Sequence, residues 1–139
     1  MSYDFAAKET LARQERDTGN YTHALALFHE ILSMDPDYEH GLCYFEIAGI
    51  YEDQNNFKLA EDNYRKALQQ EPDNTVYLGG LASLFYLHGN PQDALEVYLE
   101  LFRLEAEQQR ETMLPAIHRL GERLGISPDN MEQLLQRKR

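Results

Sequence analysis

Histidine, cysteine and carboxylate side chains are the groups in this 139-residue chain that could bind a metal or catalyse a reaction. A zinc site on a helix needs its ligands on one face, as when two histidines stand four residues apart. No two histidines have that spacing, and none has cysteines or carboxylates clustered at ligand spacing. We therefore predict no metal site and expect surface or half-buried helical positions for His23, His29, His40, His88 and His118.

Cys43 is the only cysteine, so an internal disulfide is excluded, and a lone thiol fits a reducing compartment. It lies in the apolar helical segment LCYFEIAGIY without the signature of a catalytic thiol, and we predict that it is buried and inert. Gly79 and Gly80 belong to a helical pattern and not to a phosphate-binding loop. The sequence therefore predicts that the protein is not an enzyme and binds no cofactor.

The charge of the chain restricts its partners. A net charge of −11 repels nucleic acid and anionic lipid, and the only dense basic run is Arg137 to Arg139. No apolar run approaches the roughly 20 residues of a membrane span. The first residues, MSYDFAAKETLARQ, lack the apolar stretch of a signal peptide. We expect a cytoplasmic protein that binds neither nucleic acid nor membranes.

The elements that must carry any binding site are visible as an internal repeat. Each copy has an alanine, a second alanine twelve residues later and an aromatic residue four further on. Apolar residues between these positions recur at three- and four-residue steps, which indicates helices with one apolar face. Small residues let two helices pack closely where they cross. The repeated positions are Ala12, Ala24 and Phe28, then Ala48, Ala60 and Tyr64, then Ala82, Ala94 and Tyr98.

Turn residues separate the two helices of each copy. Glycine and asparagine tolerate the left-handed backbone conformation that often ends a helix, and we predict it at Gly19, Asn55 and Gly89. The residue after each is a good N-cap for the second helix, namely Asn20, Asn56 or Asn90. Proline cannot continue a helix, so Pro36 and Pro72 are expected to follow the second helices of the first two copies.

This pattern resembles the tetratricopeptide repeat. The resemblance implies an all-α fold, a right-handed solenoid of helix-turn-helix hairpins in a single domain over residues 1–139. The repeats are predicted at about 5–38, 41–74 and 75–108, followed by a C-terminal capping hairpin over 112–137. In that hairpin Pro115 is expected near the start of one helix and Ser127 at the N-cap of the next. The second repeat matches best, at Tyr44, Ile47, Ala48, Tyr51, Ala60, Tyr64, Ala67 and Pro72.

The chain departs from the family pattern near DPDYEHG, where the first repeat spacing is 36 residues and holds a two-residue insertion. In the family, the first helices of successive hairpins line a concave groove that holds a peptide. The resemblance places that groove at Glu9, Arg13, Arg16, Leu42, Phe45, Gly49, Glu52, Val76, Gly79, Ser83 and Tyr86.

Some members bind the acidic C-termini of heat-shock proteins through a clamp of lysine, asparagine and arginine residues. The equivalent positions here hold two carboxylates, so the resemblance implies that the clamp is absent and that this motif is not a partner. The apolar and small residues predict a hydrophobic floor, with Phe45 and Tyr86 as partly exposed anchors and Gly49 and Gly79 open to a ligand backbone. The clamp positions are Glu9, Arg13, Glu46, Val76 and Gly80.

The leading hypothesis is a protein-binding adaptor or scaffold that holds a peptide in this groove. In one alternative the protein self-associates as a homodimer through the end of the first repeat, near Tyr3 and Phe5. In another it is a dedicated chaperone similar to the three-repeat chaperones of type III secretion. The groove residues could also pack against the capping hairpin or a second copy, and the sequence does not identify the partner.

Overall fold

The computed structural model describes residues 4–137, so Tyr3, Lys138 and Arg139 lie outside the described range. No β-strand occurs in the range, and no helix there is both long and apolar enough to cross a bilayer. A short 3₁₀ helix, Tyr38–Gly41, precedes α3. The α-helices are α1 (Phe5–Asp17), α2 (Tyr21–Met34), α3 (Leu42–Asp53), α4 (Phe57–Gln70), α5 (Thr75–His88), α6 (Pro91–Leu104), α7 (Glu107–Arg123) and α8 (Pro128–Arg137).

The helices fall into two compact units, the first ending at Pro72 and the second beginning at Asp73. In the first unit α1 packs on α2, α2 on α3, and α3 on α4. In the second, α5 packs on α6, α6 on α7, and α7 on α8. The all-α fold of helical hairpins predicted from the sequence is confirmed. The boundaries of the domain and its repeats remain predictions.

The repeated alanines lie in the cores of both units, as expected for residues at helix crossings. Ala12, Ala24, Ala48, Ala60, Ala82 and Ala94 are all fully buried. Large side chains beside them complete the core, including Phe28 in the first unit and Phe102 in the second. The fixed alanine positions of the repeat are therefore positions in the interior of each unit.

The variant Ala60→Leu tests this packing. Ala60 has no exposed surface, so the added methylene groups have no space, and overpacking of this kind typically costs about 1–3 kcal/mol. Its neighbour Glu61 is partly exposed, and Glu61→Leu should change stability little. Urea denaturation of both variants checks the expectation, and equal midpoints would mean that the faces of α4 are assigned wrongly.

Two of the three predicted left-handed turns are present. Gly19 has φ +84° and Asn55 has φ +60°. The prediction is wrong for Gly89, which has φ −113° and ψ −162°, an extended conformation. Glycine is still required there, because an added Cβ would lie 2.9 Å from the Cα of Phe85.

Asparagine caps two of the three second helices. The side-chain oxygen of Asn56 accepts from the backbone N–H of Leu59 at 3.3 Å, and that of Asn90 accepts from Asp93 at 2.8 Å. Asn20 makes no such bond, and its amide nitrogen donates to the Glu15 carboxylate at 2.8 Å. The predicted cap at Ser127 is present, since its hydroxyl accepts from the N–H of Asn130 at 3.2 Å.

The two-residue insertion forms the 3₁₀ helix before α3. Glu39, His40 and Gly41 all have positive φ there, at 49°, 53° and 100°. The turn brings the ring of Tyr38 to 5.0 Å from that of Phe5 on α1. The insertion therefore adds an aromatic contact to the first hairpin that the repeat pattern does not contain.

The first helix of the predicted capping hairpin begins earlier than expected. Helix α7 starts at Glu107, so Pro115 lies in its interior and not near its start. In its first turn the Arg110 guanidinium donates to the carbonyl oxygens of Phe102 and Arg103 at 2.7 and 3.2 Å. These bonds satisfy carbonyl groups at the end of α6, which have no partner within that helix.

Candidate partner-binding face

The predicted groove residues of the first unit form an ion-pair network between α1 and α3. Glu9 is only 5% exposed, although it is charged. Its carboxylate accepts from the guanidinium of Arg13 and from the Tyr38 hydroxyl, the latter at 3.0 Å. A buried carboxylate needs such partners because burial removes its hydration.

The two arginines of α1 reach across to α3. Arg13 donates to Glu46 at 3.2 Å, while Arg16 donates to Glu46 at 3.4 Å and to Asp53 at 3.2 Å. Partial burial opposes the charged form of Arg13, but the carboxylates of Glu46 and Glu9 raise its pKa. Arg13 and Arg16 are thus already neutralised by carboxylates of their own unit.

Gly49 makes room for one of these arginines. A Cβ added at Gly49 would lie 2.8 and 3.0 Å from the two Nη atoms of Arg16. The expected role for this glycine was to let a ligand backbone approach. In the structure the space over Gly49 is filled by the Arg16 guanidinium.

The other predicted residues of this unit are half-buried. The ring of Phe45 lies 5.7 Å from that of Tyr64, and Glu52 accepts a hydrogen bond from the Tyr64 hydroxyl. Burial and that hydrogen bond raise the pKa of Tyr64. Leu42 is half-buried at the start of α3. Polar and charged groups therefore occupy much of this face beside the apolar Leu42 and Phe45.

The predicted residues on α5, in the second unit, are more open. Val76 is 60% exposed and Ser83 is exposed. A Cβ added at Gly79 meets no neighbouring atom within 4 Å, which indicates open space. Leu87, which lies outside the predicted groove positions, is 63% exposed. Because Leu87 follows Ser83 by four residues, the sequence alone places the two residues on the same helical face.

Tyr86 is held by its own unit. Its hydroxyl accepts from a guanidinium N–H of Arg119 on α7 at 2.8 Å. Its ring lies edge-on to that of Tyr98 on α6, with the ring centroids 6.2 Å apart. Tyr86 is half-buried and joins three helices, so it is less free than the anchor expected from the sequence.

The side chains that could bind a metal do not form a cluster within the described residues. Across residues 4–137, no three histidine, cysteine or acidic side chains are placed to hold a metal ion. Cys43 is buried in the core of the first unit. Burial, together with the carboxylates of Glu9, Glu39 and Glu46, raises its pKa to about 12.

Alkylation of Cys43 tests the prediction that its thiol is buried and inert. The thiolate is the reactive form, and at pH 8.5 a thiol with so high a pKa is almost fully protonated. We expect iodoacetamide to react roughly 100-fold or more slowly with the native chain than with the chain in denaturant, where the pKa is near 8.5. Mass spectrometry follows the reaction, and rates within tenfold of each other would show an accessible, reactive thiol.

Comparison of the chain with known families and solved structures identifies proteins that share its architecture. The profile of the tetratricopeptide repeat matches residues 9–75 and 45–106. The first TPR of Spaghetti (RPAP3) bound to the HSP90 peptide SRMEEVD is 14% identical, with a TM-score of 0.73 over 87% of this chain and 95% of that chain. No curated protein sequence matches this chain significantly.

Two further solved structures are similar. The type III secretion translocator chaperone SycD of Yersinia enterocolitica is 13% identical, with a TM-score of 0.75 over 91% of this chain and 90% of that one. The Sgt2 TPR domain from Aspergillus fumigatus is 14% identical, with a TM-score of 0.73 over 89% and 81%. At such identities the likeness shows a shared fold.

Proposed function

Because this chain belongs to the tetratricopeptide repeat family, we propose that it is an adaptor or scaffold that binds a segment of a partner protein. The family is generally a non-catalytic fold for protein interaction. One observation carries the proposal further: the first helix of the second unit leaves Val76 and Ser83 exposed, with open space over Gly79. Exposed apolar surface of this kind commonly marks an interaction site.

Two of the similar structures support a protein partner. One is bound to a peptide of HSP90, and the other is named as a chaperone for a secreted translocator. Both are covered over nine-tenths or more of their length by this chain. The first binds a peptide and the second is named for the translocator that it chaperones, and we extend a protein ligand, without its identity, to this chain.

Blocking the open space over Gly79 tests the proposal. We expect the variant Gly79→Phe to fold, since its side chain enters open space, and to lose the partners that the wild-type chain captures from its native cells. Leu59→Phe on α4, where Leu59 is 38% exposed, is the control for added aromatic surface and should retain them. Quantitative mass spectrometry of the captured proteins gives the readout. Identical sets from all three chains, with melting temperatures unchanged, would contradict binding at this helix.

An acidic C-terminal peptide such as SRMEEVD is expected not to bind measurably. Two of the positions equivalent to the heat-shock-protein clamp hold the carboxylates of Glu9 and Glu46, which repel an anionic peptide. The cation at a third, Arg13, is already paired with both. Calorimetry checks this, with the C-terminally truncated peptide as control. Saturable micromolar binding that depends on the terminal carboxylate would show that the groove positions are misassigned.

Self-association through the first repeat has weaker support. The α1 residues equivalent to the buried α3 positions Cys43, Ile47 and Ile50 are solvent-exposed and partly polar. Only one is a large apolar side chain, and it is 40% exposed. A face of this composition does not need a second copy to cover it. The three exposed residues are Ala7, Leu11 and Gln14.

A further inference from the structure

One face of α5 is uncharged and carries three exposed side chains. It consists of Val76, Gly80, Ser83 and Leu87, at helical steps of four, three and four residues, and we call it the α5 face. Val76 and Leu87 are the most exposed large hydrophobic side chains among the described residues, at 60% and 63%. Helix α5 contains no aspartate, glutamate, lysine or arginine in a chain of net charge −11.

A cation contacts Tyr86, near the C-terminal end of α5. Arg119 on α7 is exposed, and its guanidinium donates to the hydroxyl of Tyr86, the residue before Leu87. Within residues 4–137 no carboxylate lies within 4.0 Å of it, so its charge is not neutralised by an ion pair there. A guanidinium has five N–H donors, and the bond to Tyr86 uses one of them.

We propose, on the basis of the function proposed above, that the α5 face binds an apolar segment of a partner protein carrying one aspartate or glutamate opposite Arg119. The apolar side chains of the segment cover Val76 and Leu87. Its backbone approaches over the small residues between them, where a bulky side chain would keep it away. The carboxylate pairs with Arg119 and sets the direction of the segment.

The dimensions and charges of the face favour this occupant. The eleven helical steps from Val76 to Leu87 extend over about 16 Å at 1.5 Å per step, which about five extended residues span. A second copy of the chain is less complementary, because α5 offers no carboxylate to Arg119 and two copies of charge −11 repel each other. A basic segment lacks the group that Arg119 would pair with.

Selection from a random dodecapeptide library on the full-length chain tests the proposal. We expect enriched peptides to share a short apolar run next to one aspartate or glutamate. Synthetic peptides of that sequence, with the acidic residue and with its amide counterpart, are then titrated by fluorescence anisotropy. The protein variants are Leu87→Glu, Arg119→Gln and, as a matched control one turn further along α7, Arg123→Gln.

The variants should distinguish the contribution of the α5 face from that of Arg119. Leu87→Glu should abolish binding of both peptides. Arg119→Gln should weaken the acidic peptide by about 10-fold or more, the loss expected for one charge-assisted pair, and leave the amide peptide unaffected. Arg123→Gln should affect neither. This double-mutant comparison assigns the carboxylate to Arg119 and does not depend on the stability of any single variant.

Other outcomes overturn the proposal in distinguishable ways. Peptides that bind but ignore Leu87→Glu and Arg119→Gln would place the site elsewhere and leave the adaptor function intact. Enrichment of peptides that carry lysine or arginine would show that the proposed negative charge of the ligand is wrong. A dimeric mass in light scattering that Leu87→Glu converts to a monomer would identify a second copy as the occupant. Failure of the library and of the cellular capture together would contradict the proposed function itself.

Discussion

Replacing Gly41 with alanine is expected to lower the free energy of unfolding by about 3 kcal/mol or more. Gly41 has φ +100°, a conformation that side chains disfavour. A Cβ there would also lie 2.9 Å from the carbonyl oxygen of Ala67 and 3.0 Å from its Cα. Both atoms belong to the backbone of α4, which cannot rotate away as a side chain would. The strain and the clash therefore act together.

Gly19→Ala is the matched control for the conformational part. Gly19 has φ +84°, but an added Cβ meets no atom within 4 Å. We expect this variant to lose only the left-handed penalty, about 1–2 kcal/mol. Urea denaturation of both variants gives the comparison, with unchanged m-values as the check that unfolding stays two-state. Equal losses would mean that the contact between the 3₁₀ turn and α4 is looser than described.

Replacing Arg13 with leucine is expected to cost about 2–3 kcal/mol, because it leaves the buried Glu9 carboxylate without its cation. The Tyr38 hydroxyl remains as one partner and limits the loss. Lys58→Leu removes a cation of the same charge from an exposed pair with Asp62, and it should leave stability nearly unchanged.

A double variant distinguishes a stranded charge from lost packing. If the penalty comes from the unpaired carboxylate, Glu9→Gln introduced with Arg13→Leu should recover a measurable part of the lost stability. If it comes from lost contacts of the Arg13 stem, the double variant should be no more stable than the single one. Chemical denaturation of the variants provides the measurement. No loss in Arg13→Leu would show that the network contributes nothing to stability.

The helical hairpins could be predicted from the sequence because their signals are local or strictly repeated. An alanine at a helix crossing is required by close packing, and all six repeated alanines are buried. At Gly89 the repeat position predicted a left-handed turn, and that prediction is wrong. In the structure the glycine is needed for the close approach of Phe85, a different constraint that selects the same residue.

The repeat register gives the positions of the predicted face, but it does not show which of its side chains already have partners within the chain. The positions of Arg13 and Arg16 follow from the repeat register, yet the sequence does not show whether an arginine stays free for a ligand. Their carboxylate partners on α3, Glu46 and Asp53, lie 30 to 37 residues away along the chain. Pairing over such a separation depends on tertiary structure, which a single sequence does not reveal.

The insertion contained a further contact that no repeat pattern could anticipate. Tyr38 donates to Glu9 from the turn in which Glu39, His40 and Gly41 adopt positive φ. The bond joins residues 29 positions apart, so no local sequence signal indicates it. Arg119 was missed for a related reason, since its neighbour Tyr86 precedes it by 33 residues.

The space over Gly49 makes the effects of substitutions at two positions interdependent. While Arg16 is present, any side chain introduced at position 49 meets its guanidinium within 3.1 Å. A shorter residue at position 16 removes that contact, so the same change at position 49 then displaces no ion pair. Because the guanidinium ends a flexible side chain, we expect alanine at position 49 to push it aside at modest cost, which makes the effects of changes at positions 16 and 49 non-additive.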